Sequence, residues 1–116
     1  MSDRAQPDRG DVMLVRFVFA DEQGAKRRPV LVLSGGAWLA GRQEVVVAAM
    51  TSNTERLLPG DRMLRHWQAA GLPQPTVVTG ILRTVKRDML ERRFGSIHAQ
   101  DWAAVREELG LMLDGA

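Results

Sequence analysis

Residues 24–34 read Gly24-Ala25-Lys26-Arg27-Arg28-Pro29-Val30-Leu31-Val32-Leu33-Ser34. Three consecutive cations meet a proline, and an apolar run follows at once. Val30 to Leu33 is short, uninterrupted and half β-branched, the pattern of a strand buried on both faces. Pro29 suits the opening of such a strand, where the ladder does not need its missing N–H. It also biases Arg28 towards an extended backbone. The expected strand therefore covers Arg28–Ser34, with a guanidinium held at its mouth. A rigid strand end is a good mount for a working cation. The competing reading is a solvated charge run in a loop.

Upstream, Asp8-Arg9-Gly10-Asp11 is a turn signal, and a strand is expected from Val12 to about Phe19, with Met13, Val15, Phe17 and Phe19 on one apolar face. A loop containing Asp21, Glu22 and Gly24 joins it to the central strand. Residues 1–9 read as a polar, mobile tail, and 10–114 as a single domain. Downstream, Gly35-Gly36 breaks the central strand, and Ala37–Arg42 reads as a loop or single turn around Trp38. Glu44–Thr51 is another buried strand, ending in the polar cluster Thr51-Ser52-Asn53-Thr54. Pro59-Gly60 is a turn. Arg62–Ala70 is a helix candidate, with Met63, Trp67 and Ala70 at helical spacing and Gly71 as its stop. Strands follow at Thr76–Thr79 and Ile81–Val85, with Gly80 between them as a bulge. A tight turn at Lys86–Leu90 and a short strand at Arg92–Ile97 come next. Trp102, Val105, Leu109 and Met112 then mark one face of a helix from His98 to Gly115. Short strands with helices late in the chain indicate a small curled antiparallel barrel, not βαβ units.

A chain of 116 residues, 45% apolar and 26% charged, has the size and composition of one globular domain. It has no cysteine, which excludes disulfides, thiol catalysis and cysteine-ligated zinc, and suits a reducing cytoplasm. No stretch approaches the roughly 20 apolar residues of a membrane span, and the first ten residues lack a signal peptide's apolar core. Net charge is only +2, yet half of the 16 Lys and Arg fall in segments 26–28 and 83–93, while 101–114 is acidic. That asymmetry suggests a polyanionic ligand on one face.

No metal signature, Walker loop, G-x-G-x-x-G or G-x-S-x-G is present. His66 and His98 read as surface or capping residues, and Trp38, Trp67 and Trp102 as core or interface residues. What remains is Arg28 at the start of one buried strand and Thr51-Ser52 at the end of the next. If the two strands are antiparallel, those ends adjoin. A planar fork of donors beside two hydroxyls can grip a phosphate, although Thr51 and Ser52 could equally be turn caps. Arg83-Thr84 repeats the theme further on.

The blocks Arg9-Gly10-Asp11-Val12, Arg28-Pro29-Val30-Leu31-Val32, Val46-Val47-Ala48-Ala49-Met50-Thr51-Ser52 and Leu82-Arg83-Thr84-Val85 resemble, in order, those of the MazF/PemK toxin family. Trp67–Leu72 leading into Pro75-Thr76-Val77-Val78 resembles its PemK-like branch, and Phe94-Gly95-Ser96-Ile97 before the last helix resembles its ending. The resemblance spans residues 9 to about 113. Ile81, Lys86 and Ala49 depart from residues common at those places in the family. The resemblance implies a mainly β, SH3-like barrel of the CcdB/MazF type with a short inserted helix and a C-terminal helix, working in the cytoplasm as a homodimer. It further implies the toxin of a toxin–antitoxin pair, a metal-independent endoribonuclease without cofactor that acts on single-stranded mRNA and is neutralised by a cognate antitoxin protein. Arg28 and Thr51 would be catalytic. Lys26, Arg27, Ser52, Asn53, Arg83, Thr84, Lys86 and Arg87 would contact RNA. Two alternatives share the barrel: a CcdB-like toxin that poisons gyrase without cutting RNA, and an RNA-binding relative without activity.

Overall fold

The computed structural model describes residues 6–18 and 25–115. The expected strand end at Phe19, residues 20–24 of the loop, and residues 1–5 of the expected tail lie outside them. Residues 6–9 pack against the body. Pro7 is buried, the Gln6 carbonyl accepts from Arg93, and the Arg9 guanidinium lies 5.6 Å from the Trp102 ring centre.

Six strands form one antiparallel sheet: β1 (Asp11–Val18), β2 (Ala25–Val32), β3 (Glu44–Thr51), β4 (Arg62–Met63), β5 (Val77–Lys86) and β6 (Leu90–Ser96). Their spatial order is β4-β5-β3-β2-β1-β6. Both faces of the sheet are apolar, as the continuous runs in β2 and β3 require. Val30, Val32, Val45, Val47, Met13 and Val15 pack on one face with Leu39 and Leu90. Val12, Leu31, Ala48 and Met50 pack on the other, under Leu64, Leu72 and Val105. Each such side chain contributes about 1.5–3 kcal/mol on burial. Among the described residues the first face has no helical layer of its own beyond a short helix, α1 (Gly36–Gly41), and the sheet curls over it. Arg83 of β5 reaches Phe17 of β1 across the curl, its guanidinium 5.1 Å from the ring centre.

The expected mainly β class with a C-terminal helix is what forms, but the sheet stays open. Its outer strands β4 and β6 do not pair with each other. The turn at residues 67–71 bridges them instead, backbone against backbone. A Cβ at Gly71 would stand 2.1 Å from the Phe94 carbonyl oxygen, and one at Gly95 would stand 2.7 Å from that of Ala70. Only glycines allow this approach.

Other boundaries shift for physical reasons. Pro29 lies inside β2, not at its start, paired with Leu14. It is tolerated because β3 joins β2 only from Val30 onwards, so at Pro29 the strand has a partner on one side. β5 is one strand, and the expected bulge at Gly80 appears as a register shift opposite Ala48–Met50. Lys86–Leu90 is closed by a single 3₁₀ turn, Arg87–Met89.

The inserted helix expected at Arg62–Ala70 does not form. Arg62 and Met63 pair with β5, the Leu64 N–H bonds to the Thr76 carbonyl, and the N–H groups of Arg65 and His66 donate to the Asp101 carboxylate at 2.9 and 2.8 Å. Tertiary partners take the donors that a helix would have used. The inserted helix is α1, around Trp38, which is exposed beneath the Arg42 guanidinium and outside the core. The last helix, α2 (Ala99–Asp114), is capped by the His98 ring, which accepts the Gln100 N–H, and ends at Gly115 in the left-handed conformation. Val105 is buried and Trp102 and Leu109 pack on the core, whereas Met112 is exposed.

Candidate nucleic-acid interface

Antiparallel pairing of β2 with β3 matches Val30 to Ala49 and Val32 to Val47. The pairing stops at Val30 and Ala49, and Arg28 on β2 and Thr51 on β3 each stand two residues beyond it. Both line one cleft of about 450 Å³, together with Ser52 and Pro29. Met50, Leu72, Pro73 and Phe94 add apolar lining, and Gln74 and Thr76 complete it.

Arg28 is exposed. Among the described residues its guanidinium has no hydrogen bond or ion pair. Its backbone is held on one side by Val15 of β1. Thr51 is half-buried, and its hydroxyl oxygen accepts the Asn53 N–H at 3.1 Å. That bond orients the hydroxyl and leaves its proton to donate. Thr51 is thus a turn cap and a cleft residue at once. Asn53 serves the same turn, its side-chain oxygen accepting the Glu55 N–H at 3.2 Å, and does not line the cleft. The described lining holds one cation and several hydroxyls but no carboxylate and no histidine. Such a set attracts an anion and offers nothing to hold a metal ion. Among the described residues, no group of His, Asp or Glu gathers as a metal site.

The remaining sequence candidates lie elsewhere. Lys26 is exposed on β2 opposite Phe17. Arg27 is exposed and paired with Glu91 of β6 at 2.7 Å. Arg83 stands over Phe17, and Thr84 and Lys86 are exposed on β5 opposite Val46 and Glu44. Arg87 is turned away, its guanidinium donating to the carbonyls of Leu39 and Arg42 at the end of α1. His66 and His98 are stacked, ring centres 3.9 Å apart, with His66 bonded to Gln100, and neither touches the cleft.

Sequence reasoning missed Leu72, Pro73, Gln74 and Phe94 as cleft residues. Pro73 and Pro75 showed only where helix was forbidden. Nothing local to Gln74 says that the turn before it docks on β6.

The family model for the PemK-like, MazF-like toxins of type II toxin–antitoxin systems matches residues 8–113. The chain belongs to that family. Solved structures agree. The MazF of a MazE–MazF crystal structure from Deinococcus radiodurans is 26% identical, with a TM-score of 0.77 over 97% of this chain and 99% of that chain. Mycobacterium tuberculosis toxin MazF-mt6 is 27% identical, with a TM-score of 0.70 over 90% and 96%. A mycobacterial endoribonuclease in complex with its cognate antitoxin shares the fold at 21% identity, with a TM-score of 0.70 over 93% and 95%. No curated protein matches. No helix among the described residues is long and apolar enough to cross a membrane.

Proposed function

We propose that this toxin-family chain is a metal-independent endoribonuclease acting on single-stranded RNA, with Arg28 and Thr51 at its centre. The observation that carries this reading is an arginine without a partner among the described residues, sharing with an oriented threonine hydroxyl a cleft whose described lining has no carboxylate. RNA supplies its own nucleophile. The 2′-hydroxyl loses its proton and its oxygen bonds to the adjacent phosphorus. The bond to the 5′-oxygen breaks and that oxygen takes up a proton. The products are a 2′,3′-cyclic phosphate and a 5′-hydroxyl. The protein's task is to hold the chain in line and to stabilise charge on the phosphoryl oxygens. Arg28 offers a two-pronged, permanently charged donor to those oxygens, and Thr51 offers a second donor beside it. Ser52 extends the contact along the backbone, and exposed Lys26, Arg27, Arg83, Thr84 and Lys86 provide cations and hydroxyls on neighbouring strands.

The test is cleavage of a generic single-stranded RNA by purified protein in EDTA. Activity persists, and the product ends resist extension until the cyclic phosphate is opened and the resulting phosphate removed. Loss of cleavage in EDTA with recovery in magnesium overturns the mechanism.

The working form is a cytoplasmic homodimer, and its regulator is an antitoxin protein whose acidic segment competes with RNA for Arg28. Exposed apolar side chains at Leu57, Leu58 and Ile81 support pairing of two copies. Light scattering at micromolar concentration gives the mass of two chains; a monomer there contradicts it.

A further inference from the structure

The cleft has more in it than phosphate recognition needs. Beyond Arg28 and Thr51 its lining includes the apolar side chains of Met50, Leu72, Pro73 and Phe94, and with them Gln74. The Gln74 side chain is exposed, and among the described residues its amide makes no hydrogen bond. Its backbone, by contrast, is fixed from three directions. Pro73 and Pro75 flank it, fixing the preceding φ and holding Gln74 itself extended. The buried Thr76 hydroxyl donates to its carbonyl at 2.9 Å. The segment leading into it is locked to β6 by the Gly71–Gly95 contact. A free amide on a rigid mount, in one cleft with apolar side chains and a phosphate-gripping arginine, is built to read something planar with a polar edge.

We infer that Gln74 is the base-reading residue of this cleft, recognising adenine in one of the two nucleotides that flank the scissile phosphate. This rests on the nuclease reading of the same cleft. With the phosphate at Arg28, the adjoining base lies along Leu72, Pro73 and Phe94. There its face replaces water on apolar surface while its edge meets the Gln74 amide. Unstacked RNA bases are recognised in this way, by a platform beneath and hydrogen bonds at the edge. The carboxamide carries an acceptor and a donor side by side, the pattern that matches adenine N6 and N7 bidentately.

The experiment sequences the cut ends of a random RNA pool for wild type, Gln74→Ala and Gln74→Glu. Base frequencies at cut sites are unaffected by a protein that is merely slower or less stable. Wild type shows adenine enriched at one flanking position. Gln74→Ala flattens that position, reducing discrimination roughly 5- to 150-fold, the range of one bidentate base contact. Gln74→Glu, now only an acceptor, shifts the preference towards cytosine with its N4 amine. Wild-type cleavage without adenine preference beside the cut, or unchanged preference in both variants, overturns the inference and leaves the nuclease reading standing. Absence of cleavage by wild type overturns both.

Discussion

Two basic segments look alike in the sequence and behave differently in the fold. In residues 26–28 the arginine nearest the apolar run has no partner among the described residues and points a charge at a cleft. In residues 83–93 the arginines are engaged. Arg93 donates to the buried Asp11 carboxylate at 2.9 Å and to the Gln6 carbonyl. Arg87 closes the end of α1. Arg83 and Arg92 lie over the rings of Phe17 and Phe94. The difference is in the surroundings. β6 passes a buried carboxylate, and the 3₁₀ turn before it passes free helix carbonyls, acceptors that a nearby guanidinium will satisfy. At Arg28, β2 passes neither among the described residues. A cluster of cations therefore marks a ligand site only where the fold leaves its donors unsatisfied.

The strongest way to break this comparison is to remove the unengaged arginine. Arg28→Ala lowers the cleavage rate at least 10²–10³-fold, about 2.7–4 kcal/mol for one lost donor to a developing oxyanion and more for a lost charge. Thr51→Ala loses somewhat less. Both side chains sit at the ends of apolar runs, so stability changes by less than about 1 kcal/mol. Cleavage rate against thermal midpoint, measured on the same preparations, checks this. Wild-type cleavage by a folded Arg28→Ala protein removes Arg28 from the cleaving centre and overturns the site assigned to this cleft.

The engaged arginines show the reverse pattern, with a smaller effect. Arg93→Ala leaves Asp11, only 4% exposed, with the Ser96 hydroxyl and the Asp8 N–H but without its cation. An under-satisfied buried acceptor costs about 1–3 kcal/mol. Arg87→Ala costs about 0.5–1.5 kcal/mol, as ordinary hydrogen bonds do. Both variants melt earlier in urea and cleave RNA at a rate near wild type while folded. A large loss of cleavage without a loss of stability would place either arginine with Arg28.

What could be read in advance follows the locality of the cause. β3 occupies the expected Glu44–Thr51, because its run of apolar residues is itself the reason it is buried. The meeting of Arg28 and Thr51 in one cleft was legible for the same reason: two strands of known length and one short connection determine which ends adjoin. α2 announced itself through its own period and its cap. The helix expected at 62–70 failed because its donors go to Thr76, β5 and Asp101, partners distant in sequence that no local pattern reveals. Asp101 itself read as part of an acidic helix face, yet it is 2% exposed and anchors the chain after β4. Gln74 was invisible as a site residue because its position depends on the contact between Gly71 and Gly95, made across the open side of the sheet.

Arg27 is the intermediate case and sharpens the comparison most finely. It belongs to the first segment by sequence but is engaged like the second, in a pair with Glu91 at 2.7 Å. The pair is exposed, with side-chain exposures of 55% and 35%, so it is worth about 0–1 kcal/mol and exchanges readily for a phosphate. Arg27→Ala therefore leaves the thermal midpoint nearly unchanged and weakens RNA binding modestly. The slope of log affinity against log salt falls by about 0.7, as for one lost contact to a single strand. Glu91→Gln releases the same guanidinium and tightens RNA binding, most at low salt. Fluorescence anisotropy with a labelled, 2′-O-methyl oligonucleotide, which cannot be cut by this route, measures both across a salt series. If Glu91→Gln leaves affinity unchanged while Arg27→Ala lowers stability, Arg27 is a structural cation, and the charge that RNA meets on β2 comes from Arg28 and Lys26.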